Sequence, residues 1–133
     1  MMLSVIPSHP GQPSEVPDEF GQPLDITPDA AQMAALAPQV VDALRTVFDP
    51  EIPVNIYDLG LIYDVLVDAD RQVGIRMTLT APACPAAQTL PGEVREAATR
   101  VEGVSSARVE IVFDPPWAMD RMTEAARLQL GLL

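Results

Sequence analysis

The sequence contains no lysine, and this absence restricts its chemistry. All eight basic residues are arginines, against 19 acidic residues, so the formal net charge is −11. Without lysine the chain cannot form a lysine Schiff base with a carbonyl substrate. An excess of negative charge repels phosphate backbones, so we expect no binding to nucleic acid.

Cysteine and histidine are nearly absent as well. Cys84 is the only cysteine and His9 the only histidine, so the chain alone cannot form a disulfide or a closed four-ligand zinc or iron–sulfur site. A nucleophilic cysteine usually needs a histidine base, and His9 lies in a distant proline-rich segment, which disfavours a cysteine hydrolase. A single cysteine without a recognisable secretion signal is typical of a cytoplasmic protein.

Long apolar runs are also missing. No stretch approaches the ~20 apolar residues that a membrane-spanning helix needs, so we expect no membrane insertion. Hydrophobic residues still make up 48% of the 133 residues, and aromatic residues only 5%. This composition predicts one ordinary domain with a core of mainly aliphatic side chains.

Prolines concentrate near the N-terminus. Six of the fourteen prolines fall within the first 28 residues, where apolar periodicity is weak. This composition predicts a flexible proline-rich arm over residues 1–26, followed by a single domain over residues 27–133. Thr27, Pro28 and Asp29 are typical of a helix start, with Thr27 as the N-cap.

The apolar spacing of the remaining chain predicts the order α-β-β-α-β-α. Alternating residues indicate three strands, of which the first two form an antiparallel hairpin, and a 3.6-residue period indicates the helices. The expected ranges are helix 38–48 restarted by Pro38, strands 61–67 and 73–79, helix 85–101, strand 107–113, and a last helix Met119–Leu130. A small sheet with helices packed on one face, an α+β two-layer α/β sandwich, satisfies this order.

Cys84 follows the second strand and immediately precedes Pro85. Proline suits the first position of a helix, so this spacing predicts Cys84 at or beside the helix N-cap. The positive end of the helix dipole would there favour a reactive thiolate. The alternative is a buried structural cysteine, because free cysteine is among the most buried residue types. Placement alone leaves both interpretations open.

The segment FDPEIPVNIYDLGLIY carries three carboxylates, Asp49, Glu51 and Asp58, before Gly60. Paired carboxylates can act as acid and base or bind a hard metal ion. Aspartates beside prolines also suit turns and caps, and a glycine permits a tight entry into a strand. Taken by itself, this chemistry favours the structural interpretation. Trp117, in a Pro-Pro turn, is more typical of a core lid than of a partner contact.

Several segments taken together, in register over residues 38–133, resemble a known family. The segments DPEIPVNIYDLGLIYDV, MTLTAPACP, VEIVFDPPW and EAARLQLG are similar to those of SufT-type iron–sulfur cluster assembly factors. That group belongs to a wider MIP-type domain family, which includes the PaaD proteins of phenylacetate degradation. The resemblance implies an α/β accessory factor that assembles or delivers clusters to client apoproteins by protein contact and not as an enzyme.

The resemblance also implies a functional patch around a reactive cysteine. The matching positions are Asp49, Glu51, Asp58, Gly60, Thr80 and Cys84. It implies a transient iron or iron–sulfur cluster contact at Cys84, without a tightly bound cofactor. The implied partners are an assembly scaffold and client apoproteins. A homodimer would bring two such cysteines together and cover exposed sheet edges.

Two features depart from the family pattern. The sequence given stops at Leu133 without the cysteine-rich C-terminus of PaaD proteins, which favours the SufT-type branch. Alanines and Pro85 surround Cys84, where several relatives have glycines. Two alternatives accompany the assembly role: a pure adaptor whose cysteine never contacts metal, and a metal-dependent hydrolase that uses the carboxylates.

Overall fold

The structure, a computed structural model, describes residues 18–50, 52–80 and 89–132. Its main elements are α1 (Ala30–Leu44), β1 (Ile62–Val67), β2 (Gln72–Met77), α2 (Leu90–Thr99), β3 (Ser106–Ile111) and α3 (Glu124–Gln129). Short 3-10 helices cover Asp18–Phe20 and Met119–Arg121. The α+β class and the predicted element order are confirmed. No described helix has the length and apolarity to cross a bilayer.

The three strands form one sheet in the order β1-β2-β3. β1 and β2 are an antiparallel hairpin in which Val65 lies opposite Ile75. β3 runs parallel to β2, with Val109 opposite Ile75, and the crossover that a parallel pair requires contains α2. The start of β1 and the ends of β2 and β3 therefore lie at one end of the sheet, which we call the loop end.

One face of the sheet forms the hydrophobic core with α1 and α2. In β2 the alternating residues Val73, Ile75 and Met77 have no exposed surface. Leu36 and Val40 of α1 belong to the same buried cluster. Burying one such side chain stabilises the fold by roughly 1.5–3 kcal/mol, so this layer holds the helices on the sheet.

Residues 18–26 run from the core side of the sheet, where Phe20 contacts Arg95 of α2, to the opposite face, where Ile26 lies over Gly74. Phe20 is 4% exposed and Ile26 is 9% exposed, so both pack against the domain. A Cβ atom on Gly74 would lie 2.8 Å from Cγ1 of Ile26, which shows how closely this segment approaches the strand. Part of the segment that composition assigns to the arm is thus packed on the domain, and residues 1–17 lie outside the described residues.

The same face carries an ion-pair ladder across all three strands. Arg76 of β2 lies between two carboxylates, with Nη1 at 2.7 Å from Oδ2 of Asp64 and Nε at 3.1 Å from Oε1 of Glu110. The hydrogen bond that Arg76 donates to the Asp64 carboxylate is the main cause that raises the pKa of Arg76 above its ordinary value. The ladder therefore joins β1 and β3 through a permanently charged side chain.

The first helix differs from its predicted range. α1 begins at Ala30, and Asp29 is the N-cap because its Oδ2 accepts the Gln32 N–H at 3.0 Å. Thr27 is not the cap. The helix passes through Pro38 to Leu44, so the predicted restart at Pro38 and end at residue 48 are wrong. A proline removes only one helical N–H, and buried residues on both sides of it hold the helix against the core.

The second helix starts later than predicted. α2 begins at Leu90 with Thr89 as its N-cap, and Pro91 occupies the first turn. The prediction that Pro85 starts this helix and that Cys84 is at its cap is therefore wrong. A second proline, which the prediction passed over, provides the favourable helix start. Cys84 itself lies in residues 81–88, outside the described residues.

The ends of the later helices also differ from their predicted ranges. α2 ends at Thr99 with Arg100 as its C-cap, two residues before the predicted end, and Gly103, with φ of 99°, lies in the following turn, which the Val104 N–H closes on the Val101 carbonyl at 3.1 Å. The predicted helix Met119–Leu130 is instead a 3-10 turn followed by α3. Met122 has an extended ψ of 145°, and the Thr123 hydroxyl accepts the Ala126 N–H at 3.2 Å to start α3 anew.

Candidate functional site

Backbone hydrogen bonds at the loop end of the sheet join the chain beside two of the predicted site positions, Gly60 and Thr80. The Thr78 N–H donates to the Leu61 carbonyl at 2.8 Å, immediately after Gly60 and shortly before Thr80. The Val112 N–H donates to the Met77 carbonyl at 2.8 Å at the same end. The described chain stops after Thr80 and resumes at Thr89, so the segment that contains Cys84 is joined to this end.

Asp49 stabilises the loop that leads from α1 into β1. Its side chain is buried, and Oδ1 accepts the Ile52 N–H at 3.1 Å. A β-bridge between Phe48 and Asn55 closes the loop around it. The structural interpretation of this carboxylate is therefore supported, because one oxygen is used to hold the loop. Glu51 lies outside the described residues.

Asp58 is held by a reciprocal pair of hydrogen bonds. Its Oδ2 accepts from Nδ2 of Asn55, and its own N–H donates to Oδ1 of Asn55, both at 2.9 Å. Nε of Arg45 lies 3.8 Å from the other carboxylate oxygen. The Arg45 guanidinium also lies 4.9 Å from the Tyr57 ring centroid. Asp58 is thus a half-buried carboxylate in one defined orientation.

Gly60 is required at its position by both conformation and space. Its φ is 88°, in the left-handed region that side chains disfavour. A Cβ atom there would lie 2.8 Å from the carbonyl carbon of Arg121, well inside van der Waals contact. The backbone of the C-terminal segment therefore packs directly on the turn before β1.

Two further hydrogen bonds fasten this turn to the C-terminal segment. Nε1 of Trp117 donates to the Leu59 carbonyl at 2.8 Å, and the Thr123 N–H donates to the Asp58 carbonyl at 2.9 Å. Trp117 is half-buried and packs against the core cluster, in agreement with its interpretation as a lid. The predicted patch residues Asp58 and Gly60 are consequently fixed from two parts of the chain.

A cleft of about 670 Å³ opens beside Gly60, between Tyr57, Tyr63 and Arg121. The Arg121 guanidinium lies 4.5 Å from the Tyr63 ring centroid. The Tyr63 hydroxyl donates to the Pro115 carbonyl at 2.7 Å, which fixes the ring. Sequence reasoning missed this arrangement, because Tyr63 fitted the strand pattern and no local motif links it to Arg121.

The structure therefore gathers part of the predicted patch. Asp49 and Asp58 lie in the loop that enters β1, and Gly60 and Thr80 lie at the loop end. Within the described ranges, no group of three or more histidine, cysteine, aspartate or glutamate side chains is arranged to hold a metal ion. The described residues form a polar surface with fixed side chains, and Thr80 joins the end of this sheet to the segment that carries the thiol.

Residues 37–111 match the model of a family described as iron–sulfur cluster assembly protein. The chain belongs to this family. An Fe-S protein maturation auxiliary factor from Porphyromonas gingivalis is 53% identical over 94 residues, which cover 71% of this chain and 90% of that protein. The Fe-S protein maturation auxiliary factor SufT from Staphylococcus aureus is 35% identical over 86 residues, 65% of this chain and 98% of that protein.

Solved structures agree with the fold. The crystal structure of a domain of unknown function, DUF59, from Bacillus anthracis superimposes with a TM-score of 0.73 at 35% identity. The match covers 79% of this chain and all of that chain, 100%. The resemblance to SufT-type factors stated from the sequence motifs is thereby confirmed, and the chain is a SufT-like member of the family.

Proposed function

We propose that this chain is an accessory factor that assembles iron–sulfur clusters or delivers them to client apoproteins in the cytoplasm. It acts by contact with an assembly scaffold and with clients, and it does not turn over a substrate. Support comes from its membership of the iron–sulfur cluster assembly family. Further support comes from two relatives that are named Fe-S protein maturation auxiliary factors. This chain matches each of them over nearly its whole length.

Cys84 is the group that touches the cargo in this proposal. Its thiolate binds iron or a cluster transiently while the cargo passes between partner proteins. One observation supports this role: the Thr78 N–H donates to the Leu61 carbonyl, which joins the chain beside Gly60 to the strand end that continues through Thr80 into the Cys84 segment. A thiolate is a natural ligand for iron in clusters, and the count of one cysteine favours transient over permanent binding.

The described patch residues give this surface its shape and charge. Asp58 is oriented by Asn55 and Arg45, and the buried Asp49 holds the loop. A surface with fixed side chains loses little conformational entropy when a partner docks, which favours recognition.

Anaerobic reconstitution with iron and sulfide tests the role of Cys84. Wild type is compared with Cys84→Ser, and with Asp70→Asn in the β1–β2 turn at the opposite end of the sheet as the control. We expect cluster absorbance and bound iron in wild type and in the control, and their loss in Cys84→Ser. Equal iron in all three proteins would overturn the role of Cys84 as a ligand.

A pure adaptor is the second candidate, and the cysteine count favours it. Cys84 is the only cysteine, and the described part of the chain forms no cluster of three candidate ligands. If the chain is an adaptor, the Cys84→Ser variant binds scaffold and client as tightly as wild type does. A binding assay on metal-free protein measures this. A homodimer that shares a cluster instead doubles the measured mass upon reconstitution.

The carboxylate-dependent hydrolase has no supporting observation. The side chains of Asp49 and Asp58 both accept hydrogen bonds from their own loop, which is the structural use of such residues. If the chain is a hydrolase, we expect a measurable turnover that is lost in Asp58→Asn. If it is an assembly factor, we expect no turnover in wild type or in the variant.

A further inference from the structure

Residues 18–26, which we call the strap, form a short segment that precedes the family match over residues 37–111. Among residues 19–26, whose burial the structure describes, two side chains are buried, Phe20 at one end and Ile26 at the other. The described side chains between them are exposed or half-exposed. The strap is therefore held to the domain at two anchor points.

The first anchor lies in the seam between α2 and β3. Oε1 of Glu19 lies 2.8 Å from Nη1 of Arg95, and the same guanidinium lies 5.0 Å from the Phe20 ring centroid. A cavity of about 200 Å³ at this seam is lined by the strap together with Arg95, Arg108 and Val109. An aromatic ring fills the seam and an acidic neighbour pairs with the arginine.

The second anchor lies on the polar face of the sheet. The Leu24 N–H donates to Oε1 of Glu110 at 3.2 Å, and Ile26 lies over Gly74. Glycine weakens the interior of a strand, and here its missing side chain leaves room for another backbone to approach. A Cβ at Gly74 would lie 3.1 Å from Leu24 and closer still to Ile26. The surface of β2 is thus shaped to receive an extended aliphatic segment.

The described lining that α2 and β3 contribute to this groove is positively charged, with two arginines and no acidic side chain. The chain has a net charge of −11, yet two of its eight arginines, Arg95 and Arg108, line the groove. The strap presents Glu19 to Arg95, and the Asp25 carbonyl accepts from Nη2 of Arg108 at 3.5 Å. An acidic occupant is therefore preferred to a basic one.

We propose that the seam between α2 and β3 is a docking groove for an extended acidic–aromatic segment of a partner protein. In the structure the strap fills this groove from within the same chain. The partner segment carries an acidic residue followed by phenylalanine, then an aliphatic residue that reaches Gly74, and it displaces the strap. If the proposed assembly function is correct, the partner is an assembly scaffold or a client apoprotein. The docking itself requires neither iron nor Cys84.

The strength of the strap's own contacts with the groove determines whether another segment can displace it. A covalently tethered strap acts at an effective concentration on the order of millimolar, so it excludes a weak free peptide. Truncation of the buried Phe20 ring lowers strap occupancy on the order of 100-fold. The groove residues on α2, β2 and β3 remain unchanged by that truncation, so the variant exposes an intact groove.

The test uses a fluorescein-labelled peptide with the sequence of residues 18–27 and full-length protein, read by fluorescence anisotropy. We expect saturable binding to Phe20→Ala that is at least about 10-fold tighter than to wild type. The matched control, Arg95→Glu in the Phe20→Ala background, loses the binding, as does a peptide with alanine in place of its phenylalanine. Equal binding to wild type and Phe20→Ala, or no binding to folded Phe20→Ala, would overturn the proposal.

Amide hydrogen exchange in the wild-type chain provides a second test that does not depend on any variant. We expect the Leu24 amide to exchange at least about 100-fold faster than the buried Thr78 amide, because the strap opens without global unfolding. Exchange of both amides at one common rate would show that the strap opens only when the domain unfolds. Cluster reconstitution is not measured in either test, so failure here leaves the proposed function untouched.

Discussion

Replacement of Gly60 by alanine tests whether the turn before β1 is fixed by the backbone of the C-terminal segment. Gly60 combines a φ of 88° with a Cβ position 2.8 Å from the Arg121 carbonyl carbon. The left-handed conformation costs an alanine about 1–2 kcal/mol. Displacement of the packed backbone costs about a further 1–3 kcal/mol, which is the cost found for overpacked cores. We therefore expect Gly60→Ala to lower the free energy of unfolding by about 2–5 kcal/mol.

Two other glycines separate these contributions. Gly131 has a φ of 76° but nothing within 4 Å of its Cβ position, so Gly131→Ala carries only the conformational cost. Gly92 lies inside α2 with ordinary φ and open space, so Gly92→Ala stabilises the helix by about 0.5–1 kcal/mol. Urea unfolding of the three variants, followed by circular dichroism, measures each free energy of unfolding against wild type.

The order of the three variants decides the outcome. We expect Gly60→Ala to be the least stable, Gly131→Ala to be intermediate and Gly92→Ala to exceed wild type. If Gly60→Ala and Gly131→Ala lose the same free energy, the contact with Arg121 does not restrict this turn. The description of a rigid surface at the loop end would then be incorrect.

Three further substitutions address other contacts in the same urea assay. Trp117→Phe keeps the ring packing but removes the hydrogen bond to the Leu59 carbonyl, so we expect a loss of about 1 kcal/mol; an unchanged midpoint would show that this bond adds nothing. Arg76→Gln breaks both ion pairs of the ladder, so we expect a loss of about 1 kcal/mol. The control, Arg71→Gln in the exposed turn, leaves the free energy of unfolding unchanged within about 0.5 kcal/mol. Equal losses in both variants would show that the ladder does not stabilise the sheet. Asp58→Ala frees the Asn55 amide and costs about 1–2 kcal/mol, and a neutral result would show that the loop does not depend on this carboxylate.

The element order was predictable because hydrophobic periodicity is a local signal. Val73, Ile75 and Met77 alternate in the sequence and are all buried on one face of β2. The parallel pairing of β2 with β3 has no comparable local signal, since it depends on the crossover through α2. Helix boundaries were less accurate, because Pro85 and Pro91 are both acceptable helix starts and tertiary packing selects the second.

The strap was not predictable from composition. Its acidic residues and the prolines on either side of it are typical of a flexible segment, and two buried side chains, Phe20 and Ile26, are too few to produce a periodic pattern. The contacts that hold it, such as Glu19 with Arg95, join residues far apart in the chain. Gly74 offered one clue, because a glycine in the middle of an otherwise regular strand often marks the close approach of another backbone.

The candidate site divides along similar lines. The resemblance supplied Asp49, Asp58, Gly60 and Thr80 as one patch, and the structure locates them in the loop end and the loop that enters it. The resemblance did not predict the cleft beside Gly60, because that cleft depends on how the segment after β3 crosses the end of the sheet. The chemistry assigned to Cys84 stays a prediction.

The most direct test of the account is transfer of a cluster to a client. A cluster-loaded scaffold protein is mixed anaerobically with an apo-ferredoxin, and cluster insertion is followed by absorbance with wild type, Cys84→Ser or Asp70→Asn present. We expect faster insertion with wild type and Asp70→Asn, and no acceleration with Cys84→Ser. Equal acceleration by all three proteins would contradict a role for the thiol and leave an adaptor, and no acceleration by any of them would contradict the delivery function itself.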